Sequence, residues 1–119
     1  MVADSAEELQ LPGKRGYLGI LPGHAPLITE LDVGELSYCR EGKTTHLALA
    51  WGFAEVLPDR VTILAETAER AEEIDAPRSQ RARDRAEERL KKLEPGTDFP
   101  RATSALRRAL ARLLVAAKK

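Results

Sequence analysis

The chain has 119 residues, 43% of them hydrophobic, and its 19 basic and 19 acidic side chains cancel. That length suits one globular domain with a small appendage, and no stretch approaches the roughly 20 apolar residues that span a bilayer. The single cysteine, Cys39, excludes an internal disulfide and a multi-cysteine zinc site.

The first half alternates in short runs separated by turn signals. Leu9 and Leu11 precede Pro12-Gly13-Lys14, and Tyr17-Leu18-Gly19-Ile20-Leu21 precede Pro22-Gly23. Leu27-Ile28 lead to a turn near Asp32, and Leu36, Tyr38 and Cys39 to Glu41-Gly42-Lys43. Leu47 and Leu49 come before Trp51-Gly52-Phe53, Ala54 and Val56 before Pro58-Asp59, then Val61, Ile63 and Ala65. Strand-length runs with turns roughly 8–12 residues apart predict an antiparallel β-sandwich or barrel of about seven strands. With so few aromatic residues (Trp51, Phe53, Phe99, Tyr17 and Tyr38), aliphatic side chains must fill its core. The amino terminus shows no charged-then-apolar leader, so a cytoplasmic location is expected.

The period changes near residue 75. Asp75 can cap a helix with Pro77 in its first turn, where a missing N–H costs nothing. Ala82, Ala86, Leu90 and Leu93 then form one helical stripe, and Glu94-Pro95-Gly96 stops the helix. Asp98 is a second cap, with Pro100 just inside. Ala102, Leu106, Ala109, Leu110, Leu113 and Ala117 make the second stripe. The expected architecture is therefore α+β: a β-sandwich over residues 1–74, then a two-helix carboxy-terminal hairpin over 75–119. The hairpin's small, Ala-rich faces bury little area, so it should detach more easily than the body unfolds.

Charge divides at the same point. Residues 1–76 carry 6 Lys and Arg against 14 Asp and Glu, a net −8, and residues 77–119 carry 13 against 5, a net +8. A basic tail attracts phosphorylated ligands, nucleic acid, anionic lipid or an acidic protein surface. Arg78, Arg81, Arg85, Arg89 and Lys92 do recur on one broad face, but Asp84, Glu87 and Glu88 interrupt the row and only Phe99 offers stacking. These features argue against nucleic acid as a partner. Gly42-Lys43-Thr44 ends like a phosphate-binding loop, yet Ser37 stands where its first glycine belongs and the segment joins two strands, so it reads as a hairpin turn. The histidines His24 and His46 have no triad or metal-ligand arrangement around them, which argues against an enzyme.

Four segments together resemble the epsilon subunit of bacterial F-type ATP synthases. They are Gly16-Tyr17-Leu18-Gly19-Ile20-Leu21-Pro22-Gly23-His24-Ala25-Pro26-Leu27, Trp51-Gly52-Phe53-Ala54-Glu55-Val56, Val61 to Glu69, and Ile74-Asp75-Ala76-Pro77-Arg78. The first is the most specific, and the resemblance runs through nearly the whole chain in one order. It implies a flattened β-sandwich followed by two helices. It implies a non-catalytic rotor subunit of the central stalk, peripheral to the cytoplasmic face of the bacterial plasma membrane through its complex. The implied partners are the gamma subunit, the c-subunit ring and the alpha and beta catalytic subunits. The implied role is coupling rotation to proton flow and restraining ATP hydrolysis through the helices. The loop Leu21, Pro22, Gly23, His24, Ala25 and Pro26 is then a subunit interface near the c ring.

No cofactor is implied, but some family members bind ATP as a regulator. The matching positions here are Glu69, Asp75, Arg78, Arg85, Arg108 and Arg112, with Ser79 departing from the motif's usual Ala. The family also usually begins further upstream, with a first strand, whereas here only Met1-Val2-Ala3 precedes Asp4-Ser5-Ala6-Glu7-Glu8-Leu9. The sandwich is then expected to lack an outer strand, which would leave an edge exposed. The competing reading is a stand-alone module that binds nucleotide or nucleic acid.

Overall fold

A computed structural model describes residues 8–21, 23, 25–92 and 94–118. Six strands come first: β1 (Glu8–Gly13), β2 (Gly16–Ile20), β3 (Leu27–Leu31), β4 (Gly34–Arg40), β5 (Lys43–Leu57) and β6 (Arg60–Arg70). A 3₁₀ turn at Ala71–Glu73 leads to two helices, α1 (Ala76–Lys92) and α2 (Phe99–Ala116).

Every strand pairing is antiparallel, and β5 organises the sheet. Its first half, Lys43 to Leu49, pairs with β4, and its second half, Gly52 to Val56, pairs with β3. β6 runs along its other edge from Arg60 to Arg70. On the far side, β1 pairs with β4 and, at Gly13, with β3, and carries β2 on its outer edge. The sheet bends across its middle, and the two halves face each other as the leaves of a sandwich. Leu11, Ile20, Leu31, Leu36, Tyr38, Leu47, Leu49, Ala54 and Val56 meet between them.

The bend is local. Leu47 and Leu49 face the core before it, Ala54 and Val56 after it. That odd step breaks strict alternation, and two residues with positive φ supply the half-turn: Trp51 at 43° and Gly52 at 146°. A Cβ at Gly52 would stand 1.8 Å from the Leu64 carbonyl oxygen. The register between β5 and β6 is the same on both sides of the bend. The runs around Leu47-Leu49 and Trp51-Val56 are thus one strand. This is why the described residues hold six strands where about seven were expected.

Among the described residues β6 pairs only with β5 and β2 only with β1. A groove of about 1220 Å³ opens beside them, lined by Leu9, Ile20, Tyr38, Val61, Ile63 and Ala65 among others.

Asp75 and Asp98 cap the helices as expected: the Arg78 N–H donates to Asp75 Oδ1 at 3.1 Å and the Arg101 N–H to Asp98 Oδ1 at 3.0 Å. In α1 the buried residues are Ser79 and Ala86, with Ala82 and Leu90 half-buried; Leu93 lies outside the described residues. In α2 the stripe departs from expectation. Leu110 is 46% exposed and Ala117 is exposed, while Ala102, Ala109, Ala111, Val115 and Ala116 are buried. The cause is that α2 has two neighbours. It packs along α1 and, near its carboxy terminus, on β4 and β5, whereas α1 has no comparable packing on the sheet.

Candidate functional site

The seam between α2 and the sheet is where the acidic and basic halves of the chain meet. Its apolar floor is small: Ala48 of β5, Ala71 and Ile74 after β6, and Val115 and Ala116 of α2, with Ala76 against them. At about 25 cal/mol per Å² such a floor contributes only a few kcal/mol, so the polar contacts weigh heavily in whether the helix stays.

Three ion pairs cross the seam at successive points along α2. The Arg107 guanidinium donates to Asp32 Oδ2 at 2.8 Å. Arg112 Nε donates to Glu69 Oε1 at 2.7 Å. Past the end of the helix, Lys118 Nζ donates to both carboxylate oxygens of Glu35, at 2.6 and 2.8 Å. The three carboxylates come from the β3–β4 turn, β6 and β4, so the contacts reach three separate parts of the sheet. Between the first two pairs, the Arg108 guanidinium lies 5.4 Å from the centre of the Trp51 ring.

The pairs differ in burial. The Arg107–Asp32 and Arg112–Glu69 side chains keep between 24% and 44% exposure. Pairs that open contribute under about 1 kcal/mol each. Glu35 is the exception, with its side chain 10% exposed. It sits on the outer face of β4, since its neighbour Leu36 points into the core. Besides Lys118 it has His46 Nδ1 at 2.5 Å from Oε1, and its backbone N–H donates to the Tyr17 hydroxyl at 3.1 Å. The hydrogen bond from Arg107 holds the Asp32 carboxyl below the usual carboxylate value, burial opposes it, and a hydrogen bond from the Val33 N–H adds to the lowering.

The six positions matched to ATP binding are dispersed, some at this seam and some away from it. Glu69 and Arg112 are brought together, on each other. Arg108 is on Trp51, and Asp75 is engaged in capping α1 at the Arg78 N–H. Arg85 lies elsewhere, in a shallow cleft with Glu88, Arg89, Lys92, Glu94 and Thr97. Of the loop expected at a subunit interface, Pro22 and His24 lie outside the described residues. Leu21 is 61% exposed, Ala25 and Pro26 are exposed, and the Gly23 N–H donates to the Pro58 carbonyl at 3.1 Å, which ties the loop to the β5–β6 turn.

Sequence reasoning did not pick out Asp32, Glu35, His46 and Lys118 as a set. The −8 and +8 division signalled that the halves attract; which carboxylate faces which cation depends on the docking angle of α2. A second feature emerges only in three dimensions. Phe53 of β5 stands directly opposite Leu64 of β6, both more than half exposed, with Ile28 of β3 72% exposed beside them. This apolar outer face is covered by no helix among the described residues, and patches of this kind mark protein contacts.

Residues 1–71 match the family model for the β-sandwich domain of the ATP synthase delta/epsilon chain, and residues 72–117 match the model for its long α-helix domain. The ATP synthase epsilon chain of Geotalea daltonii is 50% identical over 119 residues, 99% of this chain and 86% of that one. That of Koribacter versatilis is 68% identical over 95 residues, 80% of this chain and 67% of its own length. In the solved structures, a chain of the Euglena gracilis mitochondrial ATP synthase, in a complex of OSCP, F1 and c-ring, superposes with a TM-score of 0.80 at 25% identity, over 96% of this chain and 71% of that one.

Proposed function

The chain belongs to the ATP synthase delta/epsilon family, and on that premise we propose that it is the epsilon subunit of a proton-translocating F-type synthase, whose hairpin restrains ATP hydrolysis. As a subunit of the rotor stalk it contributes no chemistry of its own. It holds a rigid β domain against its neighbours while the complex turns over. The partners we assign are the gamma subunit and the c-subunit ring for the β domain, with the exposed Ile28, Phe53 and Leu64 as the apolar contact and the Leu21–Pro26 loop toward the ring. The alpha and beta subunits are the target of the basic helices when these leave the sheet. The complex then sits on the cytoplasmic face of the membrane. The chain is peripheral to it in this reading, and no helix among the described residues is long and apolar enough to cross.

The observation that carries the regulatory part is the seam. α2 is fastened by a few apolar side chains and a row of charge pairs, so docked and released states need differ by only a few kcal/mol. The same arginines that pair with Asp32 and Glu69 would meet acidic groups of another subunit at little net electrostatic loss. ATP enters as a ligand that favours one of the two states. Its binding requires Arg112 to exchange Glu69 for phosphate, to which a guanidinium fork is well matched.

Two measurements test the proposal. The chain should be retained by immobilised gamma subunit, and a complex assembled without residues 77–119 should hydrolyse ATP several-fold faster than the intact one. Failure of the first removes the stalk assignment, and an unchanged rate in the second removes the inhibitory role.

A further inference from the structure

The three ion pairs across the seam are not equivalent, and the difference lies in what each carboxylate does when the helix leaves. Asp32 and Glu69 are part-exposed with α2 in place and lose little by parting from Arg107 and Arg112. Glu35 is on an outer sheet face that the end of α2 covers, and its side chain is left 10% exposed. Docking therefore takes a charged carboxylate out of water. A buried charge is tolerated only when it is paired and hydrogen-bonded. Lys118 supplies that partner by donating to both oxygens, and it stands two residues beyond the end of α2.

We infer that Glu35 and Lys118 form a latch that makes docking of the hairpin conditional on Lys118, so that the ammonium must be seated in the Glu35 socket for α2 to lie on the sheet. The inference rests on the reading of the hairpin as the regulatory element and names the contact that holds it. With Lys118 seated, every oxygen of Glu35 has a donor: Oε2 has the ammonium, and Oε1 has the ammonium and faces His46 Nδ1. Without Lys118, the docked state keeps a carboxylate facing His46 alone, whereas the released state returns it to water. The penalty falls on one state only, which is the requirement for a device that shifts a population. Lys118 keeps 39% exposure along its side chain, so a competing anion has access to the ammonium without the seam first coming apart.

The latch is tested on the full-length chain by a double-mutant cycle, with Trp51 fluorescence and protease sensitivity of the hairpin reporting the ratio of docked to released molecules. Lys118→Ala should lower that ratio at least tenfold, and Lys118→Glu further. Lys118→Arg should keep it within about threefold of the parent. In the Glu35→Gln background, which removes the charge to be buried, Lys118→Ala should change the ratio less than twofold. Equal effects of Lys118→Ala in both backgrounds, or no effect in either, would overturn the latch. Hydrolysis by the assembled complex is read separately. A variant that releases the hairpin by the first two readouts while hydrolysis stays at the parental rate supports the latch and removes the inhibitory reading of the hairpin.

Discussion

The Arg108 guanidinium rests 5.4 Å from the centre of the Trp51 ring, over the residue at which β5 turns from one leaf of the sandwich to the other. Trp51 is the only tryptophan of the chain, so its emission reports on the presence of α2. Removing residues 77–119 should shift the Trp51 spectrum, and Arg108→Ala should shift it part of the way in the same direction. The loss of docking free energy in that variant should be about 0.5–1 kcal/mol, the usual strength of such a contact at a part-exposed site. A spectrum indifferent to the loss of the helices would show that the ring does not sense them.

The β domain should survive that deletion. Its main core draws every member from the strands, with no residue of either helix. The 1–76 fragment is expected to keep a β-rich circular dichroism spectrum and a cooperative thermal transition. Its midpoint should be lower than that of the whole chain, because Ala48, Ala71 and Ile74 lose their cover. A fragment without a transition would mean that α2 completes the core.

Acid should loosen the seam through Asp32. Its carboxyl is held below the usual carboxylate range by the hydrogen bond from Arg107. A depressed folded-state value means that the pair's stabilisation is fully present above the unfolded value and is lost as pH falls through the folded one. The stability difference between the parent and Arg107→Ala should therefore be constant above about pH 5 and shrink below about pH 4, from a plateau under about 1 kcal/mol for so open a pair. Denaturant unfolding from pH 3 to pH 7 measures it.

Gly52→Ala and Gly42→Ala should part company. Both glycines have positive φ, 146° and 77°, but a Cβ at Gly42 has open space around it while one at Gly52 collides with backbone. The turn variant should lose about 1 kcal/mol. The strand variant should lose about 3 kcal/mol or more, since β5 and β6 must separate at the bend. Thermal melts of the two proteins decide this, and comparable losses would show that the bend has room to adjust.

Nucleotide binding is expected to follow the Glu69–Arg112 pair. Glu69→Gln releases Arg112 from a contact of 2.7 Å and should tighten ATP binding several-fold in calorimetric titration, whereas Arg112→Ala should abolish it. ATP affinity unaffected by either change would place any nucleotide elsewhere.

The parts of the fold governed by local chemistry were legible in the sequence. Asp75 and Asp98 announced two helix starts because an N-cap needs only its own next turn. The Glu41-Gly42 turn and the Pro58-Asp59 turn announced their hairpins for the same reason. Trp51-Gly52 misled, because an aromatic–glycine step reads as the end of a strand when the chain instead rotates in place and continues. Leu110 misled in another way: a helical stripe is defined by its period, and the period does not say which of two neighbours each side chain will meet. The pairing of Glu35 with Lys118 joins residues 83 positions apart, and only the settled angle of α2 on the sheet decides it.

α1 leans on α2 and, beyond Ala76, has little of its own on the sheet. Its backbone hydrogen bonds are therefore only as lasting as the docking of its neighbour. A 17-residue helix with two buried side chains is marginal by itself in water. In hydrogen exchange the amides of α1 should lose their protection in step with those of α2, at one shared rate far above that of Leu47 to Val56 in β5. The two helices should then open as a single cooperative unit, and a ligand that slows exchange in one should slow it equally in the other.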